Sequence, residues 1–356
     1  MTTHIPNSTS SRSRPQAPPL DLSWLNLDDH YDVHAEVSRR GLTLDSLNEA
    51  AFPPDATEAG NHTMRIRGAA PREGAPRYGY SYIGKADSWS EAVPMLYEEA
   101  VQRQWSSATD IPWETLQPLP DDLERAMSQF CTFLNEVEFI AADGPGQWLP
   151  RLSPEYYEVG LFLMTQIMDE ARHMDVFRKR ALANGGGLLA QGPGEGLRQI
   201  LEAKDFTEMS AILHVQGEGF VQSLFRMGEL IGQNTAEKTI FRLCAQDESR
   251  HLAFGVMHLK HILESSPERR EEIHGYFDRA ERVSGLTGTQ TPQMVEALTV
   301  LLGGGSSPAQ LDDGWRLQQL ILRKQVTEYY HRLKVAGLGD RIDRMPEAMQ
   351  KIVKGN

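Results

Sequence analysis

The sequence predicts an all-α protein, a four-helix bundle with additional N- and C-terminal helices. Three observations carry that prediction. From Ser88 onward, helix start and stop chemistry recurs along the chain. Two of the segments so bounded contain the same pentad, Asp-Glu-x-Arg-His. Each pentad is preceded by another amphipathic segment with a glutamate on its apolar face, and the glutamate-to-glutamate separations are 32 and 30 residues.

Taken in order, residues 1–20 (MTTHIPNSTSSRSRPQAPPL) mix Ser, Thr, Pro and Arg without an apolar signal region, and read as a disordered tail. Residues 21–87 are broken by Pro, Gly and Arg, as in AAPREGAPRYGYSYIGK, so an irregular N-terminal arm is expected. The bundle is expected over 88–285, beginning with a helix near 88–108. Pro120 opens DDLERAMSQFCTFLNEVEFIAAD, which should stop at Gly144-Pro145-Gly146. Ser153-Pro154-Glu155 opens a helix running to Asn184 and closed by Gly185-Gly186-Gly187. Asp205 with Glu208, and Asn234 with Glu237, have the spacing of helix N-caps. Ser266-Pro267, Thr291-Pro292 and Ser307-Pro308 start further helices, those over 286–356 packing on the bundle.

Composition excludes several functions. A net charge of -13 and a pI near 5.4 argue against nucleic acid as a partner, because counterion displacement needs clustered cations. No run of about 18 apolar residues occurs, so no membrane span is expected. Cys131 and Cys244 are too few for a disulfide framework and too far apart for a metal knuckle, which fits a reducing cytoplasm.

The pentads are Asp169-Glu170-Ala171-Arg172-His173 and Asp247-Glu248-Ser249-Arg250-His251. Glu and His three positions apart share a helix face, so one helix can offer a carboxylate and an imidazole to the same ion. This is the donor pattern of di-iron and di-manganese bundles. Glu-x-x-His alone is weak, with roughly one chance match expected. Glu271 with His274 and Glu328 with His331 are two such matches, and both lack the flanking Asp and Arg. The full pentad is expected by chance on the order of a few times in a thousand such chains. Around the first pentad, Val159, Leu163, Gln166, Ile167, Met174 and Phe177 make the stripe largely apolar, so the ligands face inward. Periodicity then selects Glu138 over Glu136, because Met127, Cys131, Leu134 and Ala141 share its face. It selects Glu218 through Ala211, His214, Val221 and Phe225.

These residues resemble the ferritin-like superfamily, and within it the hydroxylase subunits of bacterial multicomponent monooxygenases, which carry the pentad in both halves. Glu138-Phe139-Ile140-Ala141 is similar to their first-ligand segment and Gly217-Glu218 to their third. The resemblance covers roughly 88–285. It implies six ligands, Glu138, Glu170, His173, Glu218, Glu248 and His251. It also implies that Asp169 supports His251 and Asp247 supports His173, with Arg172 and Arg250 beside them. Where those hydroxylases carry a threonine, four residues after the third glutamate, this chain has Gln222. The chain is also shorter than their catalytic subunits, which suggests a stand-alone enzyme like the p-aminobenzoate N-oxygenase group. That group's extra histidine corresponds here to Cys244. Ribonucleotide reductase small subunits place a radical tyrosine where this chain has Phe177.

Four carboxylates neutralise two divalent ions and suit hard, high-valent metal. Two iron ions are expected, ahead of Fe/Mn or Mn/Mn. The expected activity is that of a di-iron monooxygenase that activates O2 to hydroxylate or N-oxygenate a small organic substrate. The alternatives are a di-iron oxidase or desaturase without oxygen insertion, and a non-catalytic iron-binding bundle. No dinucleotide fingerprint or iron–sulfur cysteine cluster is present, so an external ferredoxin or reductase is expected as electron donor. A homodimer is also expected. His214, one turn before Glu218, reads as a hydrogen-bonded core histidine, with an extra ligand or a proton relay as the other readings. Ala141, Gln166, Phe177 and Gln222 are candidate pocket residues.

Overall fold

The computed structural model describes residues 18–25, 34–51, 74, 82–184, 186–190, 195–283 and 292–355. The expected tail therefore lies outside the described residues except for 18–20, as do Gly185, Thr291 and most of the arm. The described residues up to position 51 form one compact unit, and those from 74 onward belong to a second. In the first unit, helix α1 (Leu44–Ala51) forms where an irregular arm is expected. At its start Thr43 Oγ1 accepts the Ser46 N–H at 3.4 Å, in the position of an N-cap.

The second unit is helical, and its two bridged residues, Ile83 and Leu152, are no named strand. The helix expected over 88–108 is shorter, split into α2 (Lys85–Ser88) and α3 (Val93–Gln102). Past Gln102 the Asp110 carboxylate accepts the Ser106 N–H at 2.7 Å, a local contact that competes with helix continuation. Helix α4 (Asp121–Gly146) ends at the expected Gly144-Pro145-Gly146 stop, with those three residues forming its last turn. Only the last turn must tolerate Pro145, and Gly144 gives room there, since a Cβ would stand 2.9 Å from Ile200 Cγ2. Helix α5 (Tyr157–Ala183) follows the Ser153 cap.

After α6 (Glu195–Leu201), Asp205 caps α7 (Phe206–Ser210), its carboxylate accepting the Glu208 N–H at 2.8 Å. The chain then widens into a π-helical stretch, Ala211–Gly217, before α8 (Glu218–Ile231). Helix α9 (Thr235–Ser265) begins at Asn234, which accepts the Glu237 N–H at 2.9 Å. Helices α10 (Arg270–Val283), α11 (Pro292–Gly303), α12 (Pro308–Val335) and α13 (Glu347–Lys354) complete the chain, α12 with a full Ser307/Gln310 capping box.

The bundle consists of two helix pairs, α4 against α5 and α8 against α9, with α5 facing α9. Each helix is amphipathic at the 3.6-residue period: on α4, Leu123, Met127, Phe130, Cys131, Leu134, Val137 and Ala141 are all buried. One apolar core joins α4, α5, α8, α9 and α11 through Phe130, Phe177, Phe225 and Phe241. A second joins α9, α10, α12 and α13 through Leu259, Tyr276, Tyr329 and Leu333. Between them the interior is polar. Full burial of each aromatic ring contributes about 1.5–3 kcal/mol, which holds the four helices against that polar centre.

His258 ties α9 to the segment before α3 and to α7. Its Nδ1–H donates to the Trp89 carbonyl at 2.8 Å, so Nε2 accepts from the Thr207 hydroxyl at 3.2 Å. Burial pushes the imidazole down to about 4, whereas an unfolded ring takes up a proton near 6.5. The unfolded state thus binds the extra proton between those values, and stability should decline as pH falls from about 6.5, levelling off below about 4. The contribution is about 3 kcal/mol. Denaturant titrations at several pH values should show a shallower acid-side slope in His258→Asn, which keeps an N–H for Trp89 but does not titrate.

Candidate metal centre

The stripe that buries α4 carries Glu138 inward at 1 % exposure, while Glu136 remains partly exposed. On α5 and α9 the pentads bring Glu170, His173, Glu248 and His251 to complete burial, and Glu218 enters at the start of α8. The structure draws these six side chains into two groups. Glu138, Glu170, His173 and Glu248 form one, and Glu170, Glu218, Glu248 and His251 the other; within each, the donor atoms lie within 4.8 Å of one another. Glu170 and Glu248 belong to both.

The two halves are near copies. His173 Nδ1 stands 3.4 Å from Glu138 Oε2, 3.1 Å from Glu170 Oε2 and 3.3 Å from Glu248 Oε1. His251 Nδ1 stands 3.4 Å from Glu218 Oε2, 3.3 Å from Glu248 Oε2 and 3.1 Å from Glu170 Oε1. A ring nitrogen carries at most one proton, so it cannot satisfy three carboxylate oxygens. Ligand atoms about 2.1 Å from a shared ion stand about 3.0 Å apart at right angles and about 3.4 Å apart at tetrahedral angles. The observed spacings fit donors arranged around a common ion. Glu138 Oε1, Glu170 Oε1 and Glu248 Oε1 are buried without a hydrogen-bond partner, the last two near an imidazole but out of line for a bond.

The outer nitrogens cross between helices. His173 Nε2 lies 3.2 Å from Asp247 Oδ2, and His251 Nε2 lies 3.2 Å from Asp169 Oδ2. Arg250 donates to Asp169 Oδ2 at 2.8 Å and to Asp247 Oδ1 at 2.6 Å. Arg172 donates to Asp247 Oδ2 at 3.2 Å and also to Asp169. These two aspartates and two arginines balance each other. Among the described residues the four inner glutamates meet only the two imidazoles and no arginine or lysine, and the remaining charge is what two divalent cations would neutralise.

Titration divides the four carboxylates: against the cost of burial, the two imidazoles hold Glu170 below the usual carboxylate range, and hydrogen bonds with Glu218 and both imidazoles do the same for Glu248. Burial, with repulsion from Glu170 and Glu248, pushes Glu138 well above the usual carboxylate range, and Glu218 likewise. Burial by itself would push the His173 imidazole down, yet the Cys244 sulfur and the Asp247 carboxylate beside it pull it well up. Burial lifts the Cys244 thiol to about 12, so it is a neutral neighbour, and Asp247 is the effective charge.

Other expected residues fall as follows. His214 is fully buried, in neither donor group, with Nδ1 2.9 Å from Ser210 Oγ and Nε2 3.0 Å from Gln166 Oε1. Gln166 donates to Glu218 Oε1 at 3.1 Å, and Gln222 donates to Ser249 Oγ at 2.6 Å. Phe177 packs with tilted rings against Phe225 and Phe241 at 5.4 and 6.0 Å, and Ala141 is buried on α4. Three of the four candidate pocket residues are thus engaged by protein partners. The two motif decoys point elsewhere: Glu271 pairs with Arg344 at 2.7 Å and His274 with Asp340 at 3.2 Å, while Glu328 accepts from Ser223 and His331 is exposed.

Trp105 is a site residue that sequence reasoning misses. Its indole N–H donates to Asp247 Oδ2 at 2.7 Å, its ring stacks on His173 at 6.3 Å, and Arg172 lies over it at 5.2 Å. It stands past the end of α3, so no helical period points to it. Phe225 and Phe162 close the centre, edge-on to His173 and His251 at 6.1 and 6.5 Å.

No family model matches this chain, and no curated protein matches it. Among solved structures, the fold is similar to that of R2-like ligand-binding oxidases. One variant with an aerobically reconstituted Fe/Fe cofactor superposes with a TM-score of 0.52 at 19% identity, covering 69% of this chain and 94% of that one. Another, with an anaerobically reconstituted Mn/Fe cofactor, gives 0.50 at 19% identity over the same shares of the two chains. The chain therefore has a ferritin-like helical bundle fold.

Proposed function

We propose that this protein is a di-metal oxidoreductase that activates dioxygen to oxidise a small organic substrate, most specifically a monooxygenase that hydroxylates or N-oxygenates it. The observation that carries this reading is the pair of buried donor groups sharing Glu170 and Glu248. Those two glutamates would span the ions. Glu138 with His173, and Glu218 with His251, would close the two ends. Asp247 and Asp169 accept the Nε2 protons, so each imidazole can present a bare Nδ1 to the centre. Phe162 and Phe225 exclude water from the histidines. Two iron ions, or the Mn/Fe pair of a similar structure, would supply the redox chemistry by which dioxygen attacks the substrate.

Reducing dioxygen to water takes four electrons. Oxygen insertion draws two from the substrate, so an external ferredoxin or reductase would deliver the other two. A second reading, an oxidase without oxygen insertion, is favoured by the similar solved proteins, which are named oxidases. Chemically reduced, Fe(II)-loaded protein should be mixed with 18O2 and a panel of arylamines and apolar aromatics, and the products weighed by mass spectrometry. Monooxygenation predicts one labelled oxygen per product molecule. An unlabelled product lacking two hydrogens would favour the oxidase, and oxygen uptake that no organic compound alters would leave a non-catalytic bundle.

A further inference from the structure

The donor set is nearly symmetric, but its support is not. Four residues before Glu170 stands Gln166, and four before Glu248 stands Cys244. Four residues before Glu218 stands His214, and four before Glu138 stands Leu134; one turn earlier the pair is Ser210 and Phe130. All six are fully buried. One half of the centre is therefore backed by a polar chain, and the other by apolar side chains and a neutral thiol.

The polar chain has a defined direction. Glu218 Oε1 accepts from the Gln166 amide nitrogen at 3.1 Å, which turns the amide oxygen toward His214 Nε2 at 3.0 Å. Amide oxygen only accepts, so His214 carries its proton on Nε2 and takes the Ser210 hydroxyl proton on Nδ1 at 2.9 Å. Burial, with the nearby His251 and His258, keeps His214 well below the usual histidine range and hence neutral, as this tautomer requires. Two backbone features seat it. His214 lies in the π-helical stretch Ala211–Gly217, and Gly255 of α9 lets it approach, because a Cβ there would stand 2.3 Å from His214 Cβ. By contrast, Glu138 Oε1 has no hydrogen-bond partner.

We propose that Gln166 and His214 are positioning residues that lock Glu218 in one orientation. The His251 end of the centre is then rigid, and Glu138, at the His173 end, is the carboxylate that reorients as ligands enter or leave. This inference rests on the di-metal reading above. Losing the amide donor frees Glu218 to rotate, which weakens the ion held by Glu218 and His251 without touching the other end. An outer partner of this kind changes metal affinity by roughly 10–100-fold.

The test uses full-length protein titrated anaerobically with Fe(II) and read by metal analysis and Mössbauer spectroscopy. Wild type should bind two ions in two distinguishable environments. Gln166→Leu should weaken one ion about 10–100-fold and alter one of the two iron signals only. His214→Leu should do the same more weakly, and His214→Gln, which retains an N–H donor, should restore both. Unchanged affinity and signals in Gln166→Leu overturn the positioning role, as does equal loss of both ions in a folded variant. A wild type that binds one ion or none overturns the metal reading itself, and the inference with it. If Gln166→Leu does not fold, wild-type crystals with and without Fe(II) decide: Glu138 should differ between them and Glu218 should not, and the reverse overturns the proposal.

Discussion

Replacing Glu170 with alanine is expected to empty both metal positions at once, taking bound iron from about two ions per chain to well under one. Glu170 belongs to both donor groups, with Oε2 3.1 Å from His173 Nδ1 and Oε1 3.1 Å from His251 Nδ1, so no ion could keep its full donor set without it. The affinity loss should exceed about 100-fold, the upper end of what outer partners cause. His251→Ala should be milder, since His251 belongs to one group only. Glu271→Ala and Glu328→Ala should leave metal content unchanged, although both sit in Glu-x-x-His sequences, because their partners are the surface residues Arg344 and Lys324 and the Ser223 hydroxyl. Metal-free Glu138→Gln should be at least as stable as metal-free wild type, because burial and repulsion from Glu170 and Glu248 disfavour the charge it removes. Equal metal loss at all four positions would show that the motif does not identify the ligands.

Asp247→Asn should weaken metal binding by roughly 10–100-fold, and the damage should appear on the opposite helix. Asp247 lies on α9, one residue before Glu248, and about 100° round the helix from it. Its carboxylate therefore reaches His173 on α5, at 3.2 Å, and not His251 four residues along its own helix. Burial would push that carboxyl up, but the hydrogen bond from His173 and the charges of His173 and Arg250 outweigh it and hold Asp247 below the usual carboxylate range. The amide removes the charge that raises the basicity of His173. It also leaves Arg172 and Arg250 sharing one aspartate, which costs stability on the order of 3–5 kcal/mol. Crystals of the variant should show His173 displaced and His251 in place; the reverse would refute the crossed pairing.

What the sequence made legible follows from how each feature is encoded. Glu138 could be chosen over Glu136 because one helical stripe, Met127 through Ala141, fixes which glutamate faces inward. The helix starts at Asp205 and Asn234 were readable because an N-cap is a local contact between neighbouring residues. Helix α4 ends at Gly146, within its Gly-Pro-Gly stop, because that breaker too is encoded by neighbouring residues. Features built from distant residues were not. Trp105 meets Asp247 across 142 positions, from a loop with no period of its own. The π stretch Ala211–Gly217 has no composition to mark it, and only the depth of His214 and the close approach of Gly255 give it a purpose. Gln166 illustrates the limit most sharply: its burial was readable from the α5 stripe, but its partners, His214 and Glu218, are 48 and 52 positions away.

The proposed metal centre has four glutamates and two histidines holding two ions between α4, α5, α8 and α9. Its most direct test is metal analysis with Mössbauer spectroscopy on full-length protein loaded anaerobically with iron. About two ions per chain are expected, with signals of coupled, oxygen- and nitrogen-ligated iron. A stoichiometry near one, or a single tetrahedral zinc retained in place of iron, would contradict it.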